Sequence, residues 1–149
     1  MAQSLEERVQ KIEDLAEITK LTSTYAHFVN RGWGDVKVDA EGLATVFTED
    51  ITWNAAAFKM SATGRDAVIA MLADPTGSPD LAMHSFTNPI LNVSGDTATG
   101  NWLIWVAQKV GEENNQVFQS EDLTYERLDG AWRIKSIDLH FGTILTGAK

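Results

Sequence analysis

The chain contains no cysteine among its 149 residues. This absence excludes disulfide bonds, thiolate nucleophiles and metal sites built from cysteine ligands. It also fits a cytosolic protein, since cytosolic proteins rarely depend on disulfides. Histidine is scarce too: the three residues His27, His84 and His140 lie far apart and form no ligand-spacing motif. We therefore expect no metal ion in this protein.

Basic residues are also few: the chain has 12 lysines and arginines and 21 aspartates and glutamates. The net charge of −9 would repel a phosphate backbone, so nucleic acid is not an expected partner. No apolar run approaches the roughly 18 residues that cross a bilayer. The first residues lack the basic and apolar regions of a secretory signal, and no glycine-rich loop indicates a nucleotide cofactor.

The length is that of one domain spanning residues 1–149, since most domains have roughly 100–200 residues. Hydrophobic residues make up 44% and charged residues 22%, which is ordinary for a globular protein and not for a disordered one. A chain of this size can bury roughly two-thirds of its unfolded surface. That is enough for a core and for a ligand cavity.

The first half of the chain predicts three helices. Ser4-Leu5-Glu6-Glu7 has the spacing of a capping box, which marks a helix start. Apolar residues then recur at steps of three and four, as on one face of a helix: Val9, Ile12, Leu15, Ile18, Leu21, Tyr25 and Phe28. This helix should end near 30–32, and two shorter helices are predicted over 40–47 and 67–72.

Strand patterns dominate the second half. A short strand at 51–53 with a returning partner within 55–62 precedes the third helix. Four longer strands are predicted over 84–93, 97–110, 117–128 and 131–141. Turn sequences join the long strands, of which Asp129-Gly130 is the strongest hairpin signal. The expected fold class is α+β, with the last three strands adjacent and antiparallel.

Two strands depart from simple alternation. In the segment 102–107 both the odd-numbered and the even-numbered residues are apolar, so both faces of this strand should be covered. We expect one of these faces to form a homodimer interface. In the last strand the apolar phase changes after Ile134 and resumes at Ile137. A bulge near Ser136-Ile137 would produce this change and bend the strand.

Several motifs, taken in their order along the chain, resemble the SnoaL-like branch of the NTF2-like superfamily. They run from the first helix to the last hairpin: Ile18-x-x-Leu21-x-x-x-Tyr25, Leu43-x-x-x-Phe47-Thr48-x-Asp50, Gly64-Arg65-Asp66-Ala67-Val68, Met83-His84, Gly95-Asp96-x-Ala98-x-Gly100 and Tyr125-x-x-x-Asp129-Gly130-x-Trp132-Arg133-Ile134. The resemblance implies an NTF2-like cone, in which three N-terminal helices pack on a strongly curved, mostly antiparallel sheet that encloses one pocket. Members of this superfamily are usually dimeric and include both enzymes and non-enzymes.

Within that branch the chain resembles the dehydratases and dehydrochlorinases, such as scytalone dehydratase, hexachlorocyclohexane dehydrochlorinase and bile-acid 7α-dehydratase. These enzymes carry a histidine at the start of the strand after the third helix, which His84 matches. An aspartate on the first helix orients that histidine. The corresponding position is Asn30 by comparison with the bile-acid enzyme, whose tyrosine matches Tyr25, and lies near Thr24 by comparison with the dehydrochlorinase.

His84 and Tyr25 are the first candidate catalytic residues. A neutral imidazole can remove a proton from carbon, and a phenol can protonate a leaving oxygen. If His84 is the base, we expect it to line the pocket together with Tyr25 and at least one of Asn30, Asp122 or His140. The structural alternatives are a strand-end histidine bonded to the backbone and a core tyrosine whose hydroxyl is satisfied.

Asp122 is the third candidate, because in SnoaL-type polyketide cyclases an acid on a late strand abstracts the proton. Burial in an apolar pocket would raise the pKa of such a carboxyl into a useful range. The alternative is a solvated strand residue, as we take the neighbouring Glu121 to be. The candidate substrate-binding residues are Asn30, Trp53, Trp102 and His140, of which Asn30 could instead end the helix and the tryptophans could belong to the core.

Two functions follow as hypotheses. The first is a cofactor-independent lyase or isomerase that acts by dehydratase-type proton abstraction on a hydrophobic polycyclic or aromatic small molecule. The second is a non-catalytic ligand-binding or dimerisation module that keeps the cone and has lost the acid. The retained histidine and tyrosine favour the first, and the absent first-helix aspartate favours the second.

Overall fold

The structure, a computed structural model, describes residues 3–147 as three helices and a six-stranded sheet. The helices are α1 (Leu5–Phe28), α2 (Ala40–Val46) and α3 (Arg65–Ala73), with a 3-10 turn at Ala56–Phe58. The strands are β1 (Phe47–Ala55), β2 (Met60–Thr63), β3 (Leu81–Ser94), β4 (Thr97–Val110), β5 (Glu113–Leu128) and β6 (Ala131–Thr146). Every predicted element is present, and the strands extend beyond most of the predicted limits. No helix within 3–147 is long and apolar enough to cross a membrane.

The sheet is mixed and follows the order β2-β1-β6-β5-β4-β3. Every neighbouring pair is antiparallel except β1 and β6, which run parallel. The last three strands are therefore adjacent and antiparallel, as their turn sequences predicted. The sheet is curved and does not close, and the three helices pack on it. This confirms the predicted α+β fold, with three helices on a curved and mostly antiparallel sheet.

A bulge in β6 produces the change of apolar phase in the last strand. Ser136 pairs with Thr124 and Ile134 with Tyr125, so Lys135 is one residue in excess on its strand. The inward-facing residues change from Ile134 to Ile137 across this point, and both are buried. The bulge therefore bends β6 while it keeps apolar side chains on the concave face.

Helix α1 begins at the predicted capping box: the Ser4 hydroxyl accepts from the Glu7 amide, and the Glu7 carboxylate accepts from the Ser4 amide. Its buried face differs from the predicted stripe, because Val9 and Ile12 are 44% and 67% exposed. Steps of three residues rotate by about −60° each, so a stripe built on them drifts around the helix. Three such steps separate Val9 from the buried Ile18 and place it on the opposite side.

A buried ion pair fastens α1 to the far strands. Asp14 accepts from Arg127 Nη2 at 2.8 Å and from Trp132 Nε1 at 3.2 Å. The Arg127 guanidinium also lies 4.6 Å from the centre of the Trp132 ring. An ionised side chain on α1 is thus buried because its partners on β5 and β6 satisfy it.

Candidate active site

A cavity of about 290 Å³ lies between the sheet and the ends of α1 and α3. This volume is at the lower end of the roughly 300–1,000 Å³ range of small-molecule sites. Most of its wall is apolar: Val29, Trp53, Phe58, Met60, Met71, Leu72, Pro79, Ala82, Val106, Val117, Leu139, Phe141 and Ile144. The polar residues of the wall are Arg31, Ser78, His84, Gln108 and Gln119. The wall contains no aspartate or glutamate within residues 3–147.

His84 lies in this wall and is held by Asn30. The Asn30 Oδ1 atom is 2.8 Å from the His84 backbone nitrogen and 3.0 Å from His84 Nδ1. An atom that accepts from a backbone N–H must be the amide oxygen and not the NH2 group, which fixes the orientation of the amide. Because that oxygen can only accept, Nδ1 must carry the imidazole proton. Nε2 is then left with its lone pair, and it has no protein partner within residues 3–147.

The loop after α1 brings Asn30 to this position. Arg31 and Ala82 exchange two backbone hydrogen bonds, of 3.1 and 3.0 Å, so the loop pairs with the start of β3. Gly32 follows with φ +96°, and a Cβ there would lie only 2.0 Å from the Asp80 carbonyl oxygen. Only glycine permits both this backbone conformation and this close approach. The loop therefore places Asn30 beside the backbone and ring of His84.

The electrostatic setting keeps His84 neutral. Burial, with a smaller effect from the nearby Arg31 cation, lowers the pKa of His84 from 6.5 to about 4. A carboxylate at the Asn30 position would oppose both effects by stabilising the imidazolium, but an amide carries no charge. At physiological pH His84 is thus an uncharged proton acceptor.

Tyr25 and the candidate tryptophans lie behind and within the wall. Trp53 lines the cavity, and its Nε1 atom lies 3.4 Å from the Tyr25 hydroxyl. Tyr25 is buried against the rings of Phe47 and Phe86 and is not part of the lining, so the expectation that it lines the pocket beside His84 is wrong. Burial raises the pKa of its hydroxyl well above 10, so the phenol is neutral. Trp102 belongs to the core, where it donates to Tyr125 at 2.9 Å.

The SnoaL-like domain family matches residues 10–138 of the chain. The chain belongs to this family. No functionally curated protein sequence matches it. Among solved structures it is similar to a type 2 hexachlorocyclohexane dehydrochlorinase (LinA), with 19% identity, a TM-score of 0.83 and coverage of 95% of this chain and 93% of that one.

Two further structures come from Novosphingobium aromaticivorans. An NTF2-like protein with a cystatin-like fold has 24% identity and a TM-score of 0.75, over 95% of this chain and 92% of that one. A candidate scytalone dehydratase has 20% identity and a TM-score of 0.77, over 93% and 91%. At these identities the likeness establishes the fold that the SnoaL-like chain shares with them.

Asp122 and His140 do not face the cavity of this SnoaL-like protein. Both side chains are 57% exposed, and His140 Nε2 lies 2.9 Å from Asp122 Oδ2. Asn101 donates to the other oxygen of Asp122 at 2.6 Å. The expected position of Asp122 and His140 in the pocket is therefore corrected. Strand alternation explains their placement, since the cavity-lining Leu139 precedes His140 and points to the other face of the sheet.

The carboxyl that faces the protein interior is Glu121, and the prediction that it is a solvated strand residue is wrong. Glu121 is 4% exposed, and its Oε2 atom has no hydrogen-bond partner among residues 3–147. It lies on the same strand face as the cavity-lining Gln119 and opposite Leu139. Burial raises the pKa of Glu121 from 4.5 to about 8, so it is largely protonated at neutral pH. The apolar parity of Val117, Leu123 and its other neighbours was the sequence signal for this orientation.

No three histidine, aspartate or glutamate side chains converge as a metal site in the part of the chain from 3 to 147. The cavity wall offers one imidazole, one guanidinium, one hydroxyl and two amides. Such a set can accept a proton, stabilise negative charge and donate hydrogen bonds. It can carry out acid–base chemistry with side chains alone.

Proposed function

We propose that this SnoaL-like protein is a cofactor-independent lyase or isomerase that acts on a hydrophobic polycyclic or aromatic small molecule. The observation that carries the proposal is the His84–Asn30 pair in the wall of an apolar cavity. The pair fixes the proton on Nδ1 and leaves Nε2 as the only imidazole atom able to take a proton. This is the arrangement that a general base requires.

The low pKa of His84, about 4, limits the carbon acids it can use. A weak base removes a proton at a useful rate only from an acidic C–H, so the substrate carbon should lie next to a carbonyl group or a conjugated equivalent. In the proposed step the proton moves from that carbon to Nε2, and its bonding pair moves into an enolate. Conjugation with the carbonyl group of the substrate delocalises this negative charge.

The enolate then has two outcomes, which correspond to the two reaction types. In an isomerase, His84 returns the proton to another carbon of the conjugated system. In a lyase, the electron pair forms a double bond and a leaving oxygen departs with a proton. We assign that proton to Nε2 of the protonated His84, because the Tyr25 hydroxyl lies behind the cavity-lining Trp53 and does not reach the cavity. Trp53 supplies an apolar surface for a flat substrate.

The test is deuterium incorporation, because it detects proton abstraction before the true product is known. A panel of hydrophobic cyclic ketones and enones is incubated with the protein in D2O and followed by NMR. His84→Ala should slow exchange of the active compounds by about 10²–10⁴-fold and should leave the fold intact. His27→Ala, which removes an exposed histidine of α1, is the matched control and should exchange like the native protein.

The alternative function is a non-catalytic module that binds a small hydrophobic ligand. One observation favours it: an amide replaces the carboxylate that would strengthen His84 as a base. It predicts that panel compounds bind and gain no deuterium. It also predicts that His84→Ala lowers the melting temperature while ligand affinity stays unchanged, since His84 then serves only to hold the Asn30 loop.

We also propose a homodimer that uses the convex face of the sheet. Trp105 is 54% exposed there and stacks edge-on with Phe118, with ring centres 5.7 Å apart, and Leu103 and Met83 are exposed nearby. Monomers rarely expose such contiguous apolar area. Trp105→Glu should therefore give a monomer in light scattering. Ile12→Glu, a control on the exposed side of α1, should leave the dimer intact; a native monomer at high micromolar concentration would refute this assembly.

A further inference from the structure

Arg31 is a cation in the cavity wall without an acidic partner. No aspartate or glutamate oxygen among residues 3–147 lies within 4.0 Å of its guanidinium. Its hydrogen bond to the protein runs from Nη2 to the Leu72 carbonyl oxygen, at 2.6 Å. A guanidinium has five N–H donors, so most of its donor capacity remains for something in the cavity.

The position of this cation is fixed by the backbone. The backbone N–H and C=O of Arg31 both form hydrogen bonds with Ala82, and Gly32 allows the chain to pass close to Asp80. The bond to Leu72 also fixes one end of the side chain. Such a pre-oriented fork loses less conformational entropy on binding than a free surface arginine does.

The charge around Arg31 is the reverse of that of the protein as a whole. The chain has a net charge of −9, yet the cavity wall contains one arginine and no carboxylate among the residues described. Partial burial lowers the pKa of Arg31. Arg31 is only half-buried, so water reaches its guanidinium in the free protein, and an anionic group of a ligand would replace that water with charge-assisted hydrogen bonds.

We propose that the cavity binds a hydrophobic ligand that carries a carboxylate, and that Arg31 is the residue that recognises this carboxylate. Guanidinium and carboxylate groups match in geometry and form charge-assisted hydrogen bonds. The apolar wall holds the rest of the ligand, with Trp53 and Leu139 on the sheet and Met71 on α3. The inference rests on the proposed function in so far as it takes this cavity as the substrate site.

A carboxylate at Arg31 would also act on His84. The Arg31 cation contributes to the low pKa of His84, and a bound anion offsets that cation. The pKa of His84 should therefore rise when a carboxylate ligand binds and should not rise with a neutral ligand of the same shape. This gives a readout of where the carboxylate lies.

The experiment compares pairs of probes that differ in charge alone: benzoate with benzamide, 2-naphthoate with 2-naphthamide, and indole-3-carboxylate with its amide. Calorimetry on the native protein at pH 7 should show the carboxylate bound about 10–100-fold more tightly than the amide in at least one pair, as for a charged hydrogen bond. Arg31→Met should abolish this preference, and Arg31→Lys should keep part of it. Arg8→Met, an exposed arginine of α1, is the matched control.

The wild-type comparison does not depend on how well the Arg31 variants fold. The proposal is overturned if no pair shows tighter binding of the carboxylate, or if the carboxylate raises the NMR-measured pKa of His84 no more than the amide does. Failure of the deuterium-exchange test would leave the carboxylate preference untouched and would reject only the catalytic role. If deuterium exchange is observed but the protein does not bind carboxylates more tightly than amides, only the proposal that the ligand carries a carboxylate is rejected.

Discussion

Glu121→Gln should make the protein more stable relative to wild type as the pH rises. The native carboxyl is buried without a hydrogen-bond partner for Oε2, and its pKa is raised from 4.5 to about 8. The folded state therefore binds this proton more tightly than the unfolded state does. Stability from this group is intact below about pH 4.5 and is lost as the pH rises towards 8. Glutamine resembles the protonated carboxyl in shape and cannot ionise.

The magnitude follows from the two pKa values. A rise in the pKa of Glu121 from 4.5 to about 8 lowers the unfolding free energy by about 5 kcal/mol when the pH is well above both values. The unfolding free energy of Glu121→Gln minus that of the wild type should increase by about 4 kcal/mol between pH 5 and pH 9. Urea unfolding at a series of pH values measures this difference directly.

The control is Glu113→Gln, which changes an exposed residue at the start of the same strand. Its stability should follow the wild-type curve across the whole range, because an exposed carboxyl meets similar surroundings in both states. If the difference in unfolding free energy between Glu121→Gln and the wild type also stays constant within about 0.5 kcal/mol across the pH range, Glu121 is not a buried acid. The inward orientation of that residue would then have to be given up.

Three further predictions follow from the same structure. Asn30→Asp should raise the pKa of His84 above its present value of about 4, because a carboxylate stabilises the imidazolium, and NMR titration of the imidazole would show it. Asp14→Ala should cost about 1–3 kcal/mol in urea unfolding, since Arg127 and Trp132 would lose a buried acceptor while Arg127 keeps Asp96 as a partner. Asp122→Ala should leave deuterium exchange within threefold of wild type, because Asp122 faces away from the cavity; a larger loss in exchange would contradict this placement.

Local signals in the sequence predicted most of the fold. The capping box at Ser4 fixed the start of α1 because its two hydrogen bonds involve only residues four to seven. The change of apolar phase after Ile134 predicted the bulge, since a strand can keep its apolar face inward only by inserting one residue. Both features depend on neighbours in the chain and are therefore visible in one sequence.

The errors came from features that depend on distant partners. Val9 and Ile12 fit a helical period, but the sheet decides which side of α1 is covered. Asp14 is buried because Arg127 and Trp132 reach it from strands more than 100 residues away. A single helix pattern contains neither fact.

The candidate site was predicted in part. The resemblance placed Asn30 where related enzymes carry the aspartate that orients this histidine, and left open whether Asn30 contacts His84 or ends the helix; in the structure it contacts His84. Which of Asp122 and Glu121 points into the protein depends on which alternate residues of β5 face inward. The apolar Val117 and Leu123 already indicated this, since they alternate in step with Glu121. Arg31 gave no periodic signal, because its place in the cavity depends on the backbone pairing with Ala82.

The most direct test of the account is the protonation state of His84, measured by ¹⁵N NMR of the imidazole from pH 3 to pH 8. The structure predicts a proton on Nδ1 and a bare Nε2 at neutral pH, and protonation of Nε2 only near pH 4. Binding of a cavity ligand should shift the Nε2 signal. A proton on Nε2 at pH 7, or a charged imidazolium there, would leave His84 unable to accept a proton from a substrate and would contradict the proposed function.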